Sequence, residues 1–180
     1  MARPELVYMF AMSLDGFIAR EDGSVDWLEA FPANADFDFD SFLASLDGIV
    51  MGRESYEVAR RHGGWEYGAL PAVVATHRPV DDLPPNVRAM AGTPAELLEA
   101  VGAMGAEKRV WLFGGGSLVT QFVAAGLLDV VETGIIPVLL GRGLPSFGAP
   151  AETWLDLEFA RGLGNGAIHA RYRVRGANPH

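Results

Sequence analysis

Val110–Trp111–Leu112–Phe113–Gly114–Gly115–Gly116–Ser117–Leu118 sets an apolar run against three consecutive glycines, and a helix-compatible segment, Ser117 to Ala125, follows at once. That order predicts a buried strand, a tight turn and a helix N-terminus. The first N–H groups of a helix lack intrahelical partners and sit at the positive end of the macrodipole, so the junction suits a phosphate. Glycines let the phosphate approach the backbone without meeting a Cβ. We read the stretch as a cradle for a nucleotide pyrophosphate. It is not a Rossmann fingerprint, because Val119 stands where the third glycine belongs and the junction comes late in the chain.

Two further junctions of the same kind lie upstream. Ile49–Val50–Met51 is a short buried strand that runs into Gly52 and a polar helix from Arg53 to about Arg61. Ala72 to Thr76 is another apolar strand, closing on His77–Arg78–Pro79. Ligands on open α/β sheets lie beyond the carboxyl ends of the strands, where all three junctions fall. An arginine fork suits a phosphate monoester, which makes Arg78 the reader of a ribose 2′-phosphate.

Around these junctions the chain alternates strand and helix. Leu6 to Met12 reads as a central strand covered on both faces. Ser13 to Ala19 is turn-rich, and residues 20 to 36 read as a long irregular loop carrying Trp27, Phe31 and Pro32. Phe37 to Leu46 has helical spacing, with Asp36 or Asp38 before or at its cap. His62–Gly63–Gly64 ends the helix that begins at Arg53, and a short strand spans Val87 to Met90. Thr93–Pro94–Ala95–Glu96 forms a capping box for a helix that reaches about Met104. Val130 to Leu140 is long and β-branched, and Pro137 within it predicts a bulge or an edge.

The end of the chain reads as a hairpin, Trp154 to Ala160 and Ala167 to Arg175, around Gly164–Asn165–Gly166. In its second strand Ile168, Ala170, Tyr172 and Val174 alternate with His169, Arg171, Arg173 and Arg175, which predicts one buried and one wet face. Gly176 to His180 reads as a loose tail. The pattern is one α/β domain over residues 1–175 with a mixed sheet.

Composition narrows the chemistry. A net charge of −9 argues against nucleic acid as a partner. Lys108 is the sole lysine beside 13 arginines, and with no Gly-Lys-Ser/Thr triplet there is no P-loop. Zero cysteines remove disulfides, thiolate nucleophiles and thiolate metal sites. His62, His77, His169 and His180 show no metal spacing. Asp36–Phe37–Asp38–Phe39–Asp40 lacks the glycine of a calcium loop, with Ser41 next and Asp47 at position twelve, so its aspartates read as helix-start and surface charges. No serine sits in a G-x-S-x-G elbow. Met1 to Phe10 reads as a first strand rather than a leader, and no run nears the roughly eighteen apolar residues of a span. A cytoplasmic protein is expected. Asp15, between a buried strand and a loop, is open to two readings: a carboxyl raised by partial burial for acid–base work, or a turn aspartate bonding its own backbone.

These residues also match a known family. Ser13–Leu14–Asp15–Gly16–Phe17–Ile18–Ala19 resembles the opening motif of the RibD C-terminal domain family, the dihydrofolate-reductase-like reductases. Met51–Gly52–Arg53–Glu54–Ser55–Tyr56–Glu57 resembles that family's Gly-Arg-x-Thr/Ser-Tyr/Trp-Glu block. Gly114 to Leu118 and Pro137 to Gly143 resemble its two later signatures.

The resemblance implies a dihydrofolate-reductase-like three-layer fold: a central, mixed, mostly parallel sheet with flanking helices and a C-terminal antiparallel hairpin. It implies NADPH as hydride donor, an oxidoreductase acting on a small heterocycle of the pterin or aminopyrimidine type, and a homodimer. Carried over by residue, Gly52 and Arg53 contact cofactor phosphates, Thr76 and Arg78 lie at the 2′-phosphate, and His77 between them is cofactor-binding. Gly114, Gly115, Gly116, Ser117 and Leu118 cradle the pyrophosphate, and Ser13 and Asp15 lie by the nicotinamide and substrate. Asp36, Asp38 or Asp40 falls where a relative places its proton-donating carboxylate. The alternatives are the 5-amino-6-(5-phosphoribosylamino)uracil reductase of riboflavin biosynthesis and a non-catalytic NADPH-binding module.

Overall fold

In a computed structural model of the chain, residues 3–32, 36–61, 64–148 and 151–176 are described. Strand β1 (Glu5–Ser13) runs through the middle of an eight-stranded sheet. A short strand β2 (Phe17–Ala19), a one-turn helix α1 (Asp26–Glu29) and helix α2 (Phe39–Ala44) lead to β3 (Gly48–Gly52) and α3 (Arg53–Arg61). Then come β4 (Ala72–Ala75), β5 (Val87–Met90), α4 (Pro94–Ala103), β6 (Arg109–Gly114) and α5 (Gly116–Ala124). The chain closes with β7 (Val130–Ile136), the two-residue β8 (Leu144–Pro145) and the hairpin β9 (Leu155–Gly162) and β10 (Ile168–Val174).

The sheet order is β5-β4-β3-β6-β1-β7-β10-β9. Pairings from β5 to β7 are parallel, and β10 pairs antiparallel with both β7 and β9. The mixed sheet expected from the sequence is present. Period-two alternation sorts the strands onto two cores. Leu6, Tyr8, Val50, Val73, Val110 and Leu112 face α4 and α5, where Leu97, Val101, Val119 and Phe122 meet them. Val7, Met9, Ile49, Met51, Val74 and Trp111 face the other way, against Phe42 of α2 and Tyr56 of α3. The result is three layers. Each fully buried side chain of this size contributes about 1.5–3 kcal/mol, so neither helix layer can be lost cheaply.

Local rules account for the ends. Thr93 accepts from the Glu96 amide while the Glu96 carboxylate accepts from the Thr93 amide, the expected capping box. Asp38 caps α2 by accepting from the Ser41 amide at 2.8 Å. At the strand ends far from the glycines, Asp47 accepts three backbone amides, those of Glu107, Lys108 and Arg109, each at 2.7 Å. One carboxylate therefore ties the start of β3 to the start of β6.

Three expectations change. Residues 20 to 36 are not wholly irregular, since α1 forms there and buries Trp27. The run from Val130 makes no edge: β7 stops at Ile136, before Pro137, and lies between β1 and β10. The predicted wet face of β10 is half dry. His169 is 5% exposed, whereas Ile168, assigned to the buried face, is 43% exposed. His62, Gly63 and the tail beyond Gly176 fall outside the described residues.

Candidate active site

A cleft of about 1280 Å³ opens at the carboxyl ends of β3, β4 and β6 and continues across the face of β1, β7 and β10. Single small-molecule pockets run to about 1000 Å³, so there is room for a dinucleotide with a second ring beside it. Gly52, Arg53, Thr76, His77, Arg78, Gly114, Gly115, Gly116, Ser117 and Leu118, all singled out from the sequence, line this one cleft.

Their convergence follows from the pairing of β3 with its neighbours. Met51 sits opposite Gly114 and Gly52 opposite Ala75, which sets the three strand ends side by side. Gly114 has φ +128, a conformation L side chains rarely adopt, and the Gly114–Gly115 peptide is cis. Gly115 is the N-cap of α5 and brings no side chain to it; the Leu118 amide donates to the Gly115 carbonyl at 2.9 Å, and the amides of Gly116 and Ser117 have no side-chain cap. A Cβ on Gly116 would lie 3.0 Å from the carbonyl of Pro145, where the segment 144–148 closes over the helix start.

Arg53 binds its own helix and the neighbouring loop. Its Nε donates to Glu57 at 2.6 Å and its Nη1 to the carbonyl of Pro79 at 2.9 Å. That holds the segment after β4 in place, where the Thr76 hydroxyl accepts from the Arg78 amide and donates to the Arg78 carbonyl, both at 3.1 Å. The Arg78 side chain is exposed at the rim.

Ser13 and Asp15 lie elsewhere. Buried Ser13 donates from Oγ to Asp15 at 2.6 Å and accepts from the Phe17 amide at 3.0 Å. Asp15 in turn accepts from the amides of Leu140 and Gly141, at 3.1 and 2.7 Å. Neither residue lines the cleft. Partial burial does not raise the Asp15 carboxyl; the Ser13 hydroxyl, then the Gly141 and Leu140 amides, hold it below the usual carboxylate range. The carboxylate's hydrogen bonds run to the Ser13 hydroxyl and to amides 125 and 126 positions away, so it bridges two loops rather than closing only its own turn. Its clasp joins the first turn to the segment after β7, and β2 pairs with β8 beside it. There Gly143 is required, since a Cβ would lie 2.2 Å from the carbonyl of Ala19.

The other half of the cleft is aromatic, with Phe31, Phe37, Phe39, Trp111 and Phe113 on its walls. Of the acidic candidates before α2, Asp38 serves as a cap and Asp36 accepts from the Gly164 amide at 3.0 Å. The carboxylate facing this half comes instead from α1, as Glu29. Sequence reading missed it because α1 is a single turn. It also missed His169, whose Nε2 lies 2.8 Å from Glu132 and whose ring meets Phe37 and Phe159 edge-on, both at 4.9 Å. Glu132 also accepts from Arg171 at 2.7 Å. Among the described residues no group of three or more His, Cys, Asp or Glu side chains could hold a metal, and no helix is long and apolar enough to cross a membrane.

Comparison with known proteins agrees with this architecture. The uncharacterized protein YwjB of Bacillus subtilis is 32% identical over 96% of this chain and 98% of its own length. A solved protein from Shewanella sp. PV-4, named for riboflavin biosynthesis, superposes with a TM-score of 0.83 at 24% identity, over 95% of this chain and 99% of that one. The dihydrofolate reductase of Enterococcus faecalis, solved with NADP(H), shares the fold with a TM-score of 0.62 at 16% identity, over 95% and 96% of the two chains. The family model for the RibD C-terminal domain matches residues 4–168. The three-layer, mixed-sheet architecture, the ordered signatures and this match agree: the chain belongs to the RibD C-terminal domain family.

Proposed function

We propose that the protein is an NADPH-dependent reductase that passes a hydride to a small planar heterocycle. The observation that carries this reading is the convergence of Gly52–Arg53, Thr76–Arg78 and Gly114–Leu118 on one cleft that extends into an aromatic half. The residues present fit the cofactor. The uncapped start of α5 and the side-chain-free edge at Gly114 to Gly116 suit a pyrophosphate, and Arg78 on the rim suits the 2′-phosphate. Bound there, the nicotinamide supplies the hydride; the chain orients it, excludes water and offers a proton. Glu29 is the carboxylate we assign to that proton. Ser13 and Asp15 act through the loops they tie, by holding the segment after β7 against the first turn.

Among the substrates suggested by the sequence, the aminopyrimidine of riboflavin biosynthesis has more support than a pterin. The family match and the riboflavin naming of the Shewanella relative both favour it. Titration with NADPH and NADH, followed by nicotinamide fluorescence, tests the cofactor assignment. Tight binding of NADPH alone is expected; equal or absent binding of the two overturns it. Complementation of a strain lacking the 5-amino-6-(5-phosphoribosylamino)uracil reduction tests the substrate, and failure there removes the riboflavin reading. Tight NADPH binding with no turnover on pterins, flavin precursors or quinones would favour a non-catalytic binding module.

A further inference from the structure

We infer that His169 is the residue that selects the substrate, by accepting a hydrogen bond at Nδ1 from an N–H on the edge of a flat nitrogen heterocycle. The inference rests on the reductase reading above and names a group in the half of the cleft that the cofactor does not use.

The register of the sheet builds the site. Ala11 of β1, Gly134 of β7, His169 of β10 and Arg161 of β9 lie in one row across four strands. On the cleft face this row presents a methyl, no side chain, an imidazole and a guanidinium in turn. Ala11, Gly134 and His169 all line the cleft. A Cβ built on Gly134 meets nothing within 4 Å, so the space above it is open. The floor is therefore low and flat up to the imidazole, which stands at its edge.

The imidazole is held in a defined state. Because Gly134 has no side chain, His169 leans along the strand to Glu132, and its Nε2 lies 2.8 Å from that carboxylate. Glu132 also pairs with Arg171 at 2.7 Å and with Arg109 at 3.6 Å. A carboxylate at Nε2 calls for a proton on that nitrogen, and the Arg161 guanidinium facing Nδ1, which can only donate, matches Nδ1 as the acceptor. The partner recorded at Nδ1 is the Arg161 Nη2 at 3.5 Å, the outer limit of a hydrogen bond, and that nitrogen also donates to the carbonyl of Asp36 at 3.1 Å. His169 itself is 5% exposed. A buried acceptor with so weak a partner, beside an open floor between aromatic walls, fits a planar ring that brings an N–H of its own.

The test uses the full chain saturated with NADP⁺ and three flat probes: 5,6-diaminouracil, 6-methylpterin, and 1,4-naphthoquinone, which has no N–H. With histidine ring nitrogens labelled, an N–H ring is expected to shift the Nδ1 resonance of His169 and leave that of His77 in place. His169→Gln keeps a donor at the Nε2 position for Glu132 and loses the Nδ1 acceptor. It should weaken that ring about tenfold, leave NADP⁺ affinity within about twofold and leave the quinone unaffected. Gly134→Val, which the space above Gly134 admits, should abolish ring binding with NADP⁺ retained. An unmoved His169 signal on binding, unchanged affinity in His169→Gln, or NADP⁺ binding with neither N–H ring overturns the inference. Failure of the native chain to bind NADP⁺ defeats the reductase reading instead, and this one with it. The labelling result on the native chain stands even where a variant does not fold.

Discussion

The two halves of the cleft are built by opposite means. In the half proposed for the cofactor, each element is a short run of consecutive residues: a strand end, a glycine, a helix start. Gly52–Arg53, Thr76–Arg78 and Gly114–Leu118 are each complete within a few positions, and the parallel pairing of β3 with β4 and β6 only sets them side by side. In the half proposed for the substrate no such run exists. Its floor takes one residue from each of several strands, and its polar group depends on Glu132 and His169, 37 positions apart. Local backbone chemistry makes the first half, and sheet register makes the second.

The largest effect separating the halves is expected at Glu132. Glu132→Ala leaves Arg171 and His169 beneath the cleft without their shared carboxylate, and should destabilise the fold by about 3–5 kcal/mol in chemical denaturation. A loss below about 1 kcal/mol would mean that this network does not hold the substrate half together. Arg78→Ala addresses the other half. NADPH affinity is expected to fall roughly tenfold to a hundredfold, while NADH affinity stays within about twofold; equal losses would remove Arg78 from the 2′-phosphate.

A change outside the cleft lining calibrates both. Thr93→Ala removes the cap of α4 at a residue that does not itself line the cleft, beside Ala91 and Gly92 that do, and should cost about 1 kcal/mol in thermal or chemical unfolding with NADPH affinity little changed. A large change in affinity would show that the helix layer reaches the site.

The smallest effect concerns the clasp that borders both halves. The Asp15 carboxyl is held below its ordinary value of 3.8 by Ser13 first and then by the amides of Gly141 and Leu140. A carboxylate depressed in the folded state contributes stability above its unfolded value and loses it as pH falls through the folded one. The clasp is thus expected to be complete at neutral pH and to weaken below about pH 4. Asp15→Asn should flatten the acid limb of the stability profile. An unchanged limb would show that the carboxylate's charge does not matter to the loop.

Much of the fold is legible in the sequence because period-two alternation and capping chemistry act over a few residues. The capping box at Thr93, the helix at Arg53–Arg61 and the hairpin around Gly164–Asn165–Gly166 all form as their local signals require. The misreadings have separate causes. The alternation in β10 marks His169 and Arg171 as polar and so wet, yet both lie against Glu132 of the adjacent strand, which compensates their burial. Pro137 suggests an edge, but β7 has already ended at Ile136, so no ladder amide is lost.

By itself, the order of residues determined that this chain makes an α/β sheet with three phosphate-suited strand ends, because strand, glycine and helix start are properties of neighbours along the backbone. Only the tertiary structure decided what stands opposite them. It set a glycine beside an imidazole and a carboxylate beneath it, and turned Asp15 away from the cleft to hold two loops. Those arrangements depend on which strands pair and in which register, and the burial they require is favourable only when the matching charge arrives from another part of the chain.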